Sequence, residues 1–118
     1  MIIICYTLIR IINILYYIMI LINAARNGDI ELVQELLENG ANPNIQSTNG
    51  FTALIIASAW GHTDIVRLLL EYGADVNVQN DDGDTVLTEA SYRGYIEIVR
   101  LLLEKGADPN IQNRFEQT

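Results

Sequence analysis

The sequence predicts an all-α solenoid: stacked helix-turn-helix units joined by β-turn or hairpin loops, with an apolar N-terminal segment in front. Three observations carry this. A nine-residue segment occurs three times, as "ENGANPNIQ" (38–46), "EYGADVNVQ" (71–79) and "EKGADPNIQ" (104–112), with its glycines at 40, 73 and 106, 33 residues apart. The flanks match in the same register, Gly50 with Gly83, Thr52 with Thr85, Leu54 with Leu87, Ala57 with Ala90 and Gly61 with Gly94. And "IVRLLLE" stands twice just before the glycine, its apolar residues at helical spacing. A fixed period of this length is the signature of units that cannot cover their apolar faces alone and so stack.

Residues 1–18 form a hydrophobic leader. Residues 19–46 are a partial first unit, lacking its opening segment. Residues 47–79 and 80–112 are complete units, and 113–118 begin a truncated fourth. In the second unit the spacing predicts a first helix from Ala53 to Trp60 with Thr52 as N-cap. Gly61 breaks it, and a second helix follows from Asp64 to Tyr72. Gly73 supplies the left-handed residue that ends that helix. Arg67 and Glu71, and likewise Arg100 and Glu104, stand four apart on the outer face, worth about 0.2–0.5 kcal/mol as pairs.

The G-A-D-V-N segment, the I-V-x-L-L-L helix and the 33-residue period resemble ankyrin repeats over residues 19–118. Two departures stand out. The family's T-P-L-H tetrapeptide reads "TALI" (52–55) and "TVLT" (85–88), losing a proline suited to the first helical position and a histidine that partners the Thr hydroxyl. Glu89 also replaces an apolar residue, Ile56 in the unit before. Both suggest weaker repeats and the same fold. The resemblance implies a protein-binding module without catalysis, using loop tips and the first-helix surface as a concave face; the alternatives are a membrane-tethered adaptor that uses the leader, or a vestigial fragment of a longer array. By position the tips are Thr48, Asn49 and Phe51, then Asp81, Asp82 and Asp84. The helix positions are Arg26 and Asn27, Trp60 (beside Ala59), and Tyr92 and Arg93. The implied module is monomeric and needs no cofactor. The resemblance also marks Asn77, in "LLLEYGADVN", as a context that cellular oxygenases hydroxylate.

Trp60 reads either as a hot spot for a partner or as packing against a neighbouring unit; its equivalents Asn27 and Arg93 are not core residues. "DDGD" (81–84) reads as a solvated acidic tip, as a surface for a basic partner segment, or as part of a calcium loop through Asn80, Asp82 and Glu89. The calcium register would place Val78, which has no ligating side-chain oxygen, in the first ligand position. His62, the only histidine, has no Ser, Cys or carboxylate at a spacing that would recruit it, so its role is structural. A net charge of −8 argues against nucleic acid, which needs clustered cations. The single cysteine, Cys5, excludes an internal disulfide and a thiolate zinc site.

The first 22 residues contain one charge, Arg10, and all fifteen acids follow them. Their length suits a bilayer span, but a central Arg costs about 2.5–3.5 kcal/mol on insertion scales, and Thr7 and Asn13 add to it. Three readings stand: a non-native or degenerate extension, a membrane anchor through residues 1–22, or a segment packed on the repeats. Met19 aligns with Thr52 and Thr85, so the first unit proper starts there. The implied location is cytoplasmic, with membrane anchoring through the leader as the alternative.

Overall fold

The computed structural model describes residues 1–111; the expected start of a fourth unit, 113–118, lies outside the described residues. Six helices occur there: α1 (Ile2–Asn27), α2 (Ile30–Glu38), α3 (Ala53–Ala59), α4 (Thr63–Glu71), α5 (Val86–Arg93) and α6 (Ile96–Glu104). No strand is found among the described residues, so the connecting loops are turns. Each odd helix packs on the even helix that follows it, and α3 packs between α1 and α5. The even helices α2, α4 and α6 line up behind as a second layer. This is the expected all-α solenoid.

The helix ends follow local chemistry. Thr52 Oγ1 accepts from Ile55 N at 3.2 Å, Thr85 Oγ1 from Thr88 N at 3.2 Å, and Asp29 Oδ1 from Leu32 N at 3.2 Å. Each such cap is worth about 1 kcal/mol. Thr88 stands where the family has histidine, and its hydroxyl lies 3.0 Å from that of Thr85. In this unit a threonine supplies the polar partner that the missing histidine would have given. The second helix starts one residue earlier than the spacing suggests, at Thr63, and ends at Glu71 with Tyr72 as C-cap; Trp60 is likewise the C-cap of α3.

The recurring Gly-Ala closes the even helices. Gly73 has φ 86°, its N–H donates to Leu70 O at 3.1 Å, and Ala74 N donates to Leu69 O at 3.0 Å. That crossed pair is a Schellman closure. Gly40–Ala41 and Gly106–Ala107 repeat it.

The Asn three residues after Ala41 and after Ala74 joins one unit to the next. Asn44 Oδ1 accepts from Asp75 N at 2.7 Å while its Nδ2 donates to Gly73 O at 3.2 Å. Asn77 makes the same two bonds one unit on, to Asp108 N at 2.8 Å and Gly106 O at 3.4 Å. Gln46 Nε2 also donates to Gln79 O at 3.3 Å. The nine residues recur because they both end a helix and join adjacent units. On the other side of the stack, His62 Nε2 lies 2.9 Å from Arg26 O, which gives the lone histidine its structural place.

The core is continuous from α1 to α6. Leu54, Ile55, Ile65, Leu69, Ile98 and Leu102 are among its fully buried side chains. All seven residues of α3 are buried, because that helix has neighbours on both sides. In α5 the corresponding Thr88 and Glu89 are half-buried. Glu89 reaches Arg93 at 3.7 Å, so the acid that departs from the family pattern finds a cation one turn on. On α4, Arg67 pairs at 3.5 Å with Asp64 rather than with Glu71.

The leader and the first helix of unit one are a single helix, α1. Its last part is core: Leu21, Ile22, Ala24 and Ala25 are buried, and Ile18 and Ile20 pack against them. Residues 1–17 are all exposed. Packing on the repeats therefore does not account for the leader beyond its last residue.

Candidate partner-binding face

The candidate residues fall on two ends of the odd helices. The tips come just before their N-termini. In the first tip, Ser47 N donates to Phe51 O at 2.8 Å and Gly50 N to Ser47 O at 2.9 Å. In the second, Asn80 N donates to Asp84 O at 3.0 Å and Gly83 N to Asn80 O at 2.9 Å. Asp81 N donates to Asn49 O at 3.1 Å, which ties the two tips side by side. Thr48, Asn49, Asp81 and Asp82 are exposed there, and Asp84 is half-buried.

Phe51 is half-buried and packs against the core, so it is not a free aromatic tip. Its ring anchors the loop to the helices. The calcium register meets an obstacle at Asn80. That side chain is buried and its Oδ1 accepts from Asp82 N at 2.9 Å and Asp84 N at 3.0 Å, which makes it the brace of the turn. Glu89, the other end of that register, lies on α5 beside Arg93.

The second group lies at the C-terminal ends of the same helices. Arg26 and Asn27 close α1, Trp60 caps α3, and Tyr92 and Arg93 close α5. All five are exposed, Trp60 by 58% and Tyr92 by 89%. Arg26 Nη1 donates to Asn23 Oδ1 at 3.0 Å, which holds it along its own helix. Asp84, Tyr92 and Arg93 also border one open groove of about 830 Å³ beside α5, with Leu87, Glu89 and Asp108. Trp60 and the first tip are not part of it. Among the described residues, no group of three His, Cys, Asp or Glu side chains is placed to hold a metal ion.

Capped helix pairs in one register, joined by backbone-reading Asn side chains, define a helical-repeat scaffold whose exposed surface is set by one unit after another. A family model described as ankyrin repeats (3 copies) matches residues 21–113, more than half of the chain. The chain belongs to the ankyrin repeat family. No curated protein matches it. Ankyrin repeats are in general protein–protein interaction modules and typically non-catalytic.

The bonds of Asn44 and Asn77 were not legible in advance, although the signal was there. An asparagine at a fixed place in every copy of a polar turn marks a side chain that replaces a backbone partner.

Proposed function

We propose that this chain captures a protein partner along the face formed by the tips and the C-terminal ends of α1, α3 and α5, and performs no catalysis of its own. The observation that carries it is Trp60. A lone tryptophan 58% exposed at a helix end gains little from folding, while a partner pocket that desolvated it would gain the largest apolar surface any side chain offers. Tyr92 and Arg93 on one side, and Arg26 and Asn27 on the other, occupy the same helix-end positions. Thr48, Asn49, Asp81, Asp82 and Asp84 supply a polar, acidic border. Within a chain of net charge −8, that border favours a partner segment rich in Lys or Arg. The module acts as a monomer on the cytoplasmic side, free or tethered through its leader.

The test uses displayed random 16-residue peptides selected on the full chain. Basic peptides with an apolar anchor are expected. Trp60→Ala should weaken their binding at least thirtyfold, and Asp82→Asn should lower association rates and their salt dependence. Failure to enrich any peptide, or enrichment indifferent to both substitutions, would remove the basis for this face.

A further inference from the structure

The exposed part of α1 lies outside the tips and helix ends assigned to partner capture, and would serve that face only as a tether. We propose that residues 2–17 insert into the hydrocarbon of a lipid bilayer, with Tyr16 and Tyr17 at the headgroup boundary nearest the repeats. The proposal is independent of the partner-binding reading and either can fail alone.

Apolar surface runs around most of this segment. Every residue from 1 to 17 is exposed, Ile2, Ile3, Ile4, Ile9 and Ile12 by more than half. At about 100° per residue, Tyr6, Arg10, Asn13 and Tyr17 fall in one stripe about 60° wide. The remaining circumference is apolar apart from Thr7, Cys5 and Tyr16. A single partner helix covers a stripe of about 100° and would leave most of that girdle in water. Liquid hydrocarbon covers all of it.

The backbone and the Thr7 hydroxyl find their partners within the helix. In hydrocarbon only a helix meets its backbone hydrogen bonds internally, and this segment is an unbroken helix. Thr7 Oγ1 donates to Ile3 O at 2.9 Å, which removes its need for water. The single charge, Arg10, lies with its guanidinium carbon 5.8 Å from the centre of the Tyr6 ring. Arg10, Asn13 and Tyr17 form a polar track leading toward the boundary. No acid occurs before Asp29, so no carboxylate has to enter.

Length and anchorage suit a bilayer as well. Sixteen helical residues reach about 24 Å at 1.5 Å each, most of the roughly 30 Å of a bilayer core. At the end nearest the repeats, Tyr16 and Tyr17 stand edge to face with centroids 6.3 Å apart. Such rings concentrate at membrane–water interfaces. Burial by the protein begins one residue later, at Ile18. Where the protein stops covering α1, the aromatic pair begins.

Cys5 is the only cysteine and it is exposed, so one environment-sensitive fluorophore reports on the inserted part without any substitution. The full chain, labelled there, is mixed with phosphatidylcholine vesicles and floated on a density gradient at about 0.1 and 1 M NaCl. Co-flotation at both salt concentrations is expected, with a blue-shifted label quenched more by mid-chain than by headgroup quenchers. That depth follows because Cys5 lies about 18 Å along the helix from Tyr17. Ile9→Asp with Ile12→Asp, on the apolar side, should reduce the bound fraction at least tenfold while the far-ultraviolet circular dichroism stays helical. An unsubstituted chain left in the aqueous fraction overturns the proposal. So does flotation abolished by salt with the label still in water, which would mark surface adsorption. A discrete oligomer that shields Cys5 and does not transfer to vesicles also overturns it, making a second copy the occupant.

Discussion

Gly28, Gly61 and Gly94 stand at the same place in successive units, with φ of 77°, 76° and 78°. Their surroundings differ. A Cβ on Gly28 would meet the His62 ring at 2.8 Å and one on Gly61 the Tyr95 ring at 2.9 Å, while one on Gly94 meets nothing within 4 Å. Alanine at any of them takes on left-handed strain of about 1–2 kcal/mol. At Gly61 the ring contact adds overpacking of about 1–3 kcal/mol. Tyr95 is half-buried and can swing partly aside, which favours the lower end. Gly61→Ala should therefore cost about 1–2 kcal/mol more than Gly94→Ala. Urea unfolding of the full chain in dilute nonionic detergent, followed by circular dichroism and Trp60 fluorescence, measures it. With slopes of about 1–2 kcal/mol per M, the midpoints should differ on the order of 1 M. Equal losses would refute the reading that the Tyr95 ring packs closely enough on Gly61 to exclude a Cβ.

Two further substitutions probe the interior and the joints of the stack. Leu69→Ala removes a fully buried side chain at the middle unit and should cost about 3–5 kcal/mol by the same urea titration. Asn77→Ala removes two hydrogen bonds to the following unit, both on an exposed side chain, and should cost about 1–2 kcal/mol; hydrogen exchange should show faster opening at Asp108, whose N–H loses its acceptor.

Much of the fold is written in the sequence because its rules are local. The period, the Thr52 cap and the left-handed Gly73 each depend on a few neighbouring residues, and all stand where expected. The candidate face is less legible. Phe51 looked like a free aromatic at a tip, but whether a ring turns inward depends on the cavity beneath it, which several distant residues build. Spacing pairs Arg67 with Glu71 four residues on, but it meets Asp64 three residues back, a choice set by side-chain rotamers that spacing does not reveal. The bonds of Asn44 and Asn77 span about thirty residues and depend on how units are displaced when stacked, which no single unit contains. Glu89, an apparent defect in the pattern, is accommodated because Arg93 lies one turn away on a helix with half-open surroundings.

The continuity of α1 has a mechanical meaning. Neither glycine nor proline interrupts residues 2–27, so no joint separates the exposed portion from the portion clamped by α2 and α3. The helix acts as a lever with its fulcrum near Ile18. A tilt imposed on the outer arm is handed to the whole stack, and a twist about the axis turns Trp60 and Tyr92 through the same azimuth. A flexible linker would let this face search every direction; a rigid arm restricts it to one sector of space. Force arriving at one end of this molecule becomes orientation at the other.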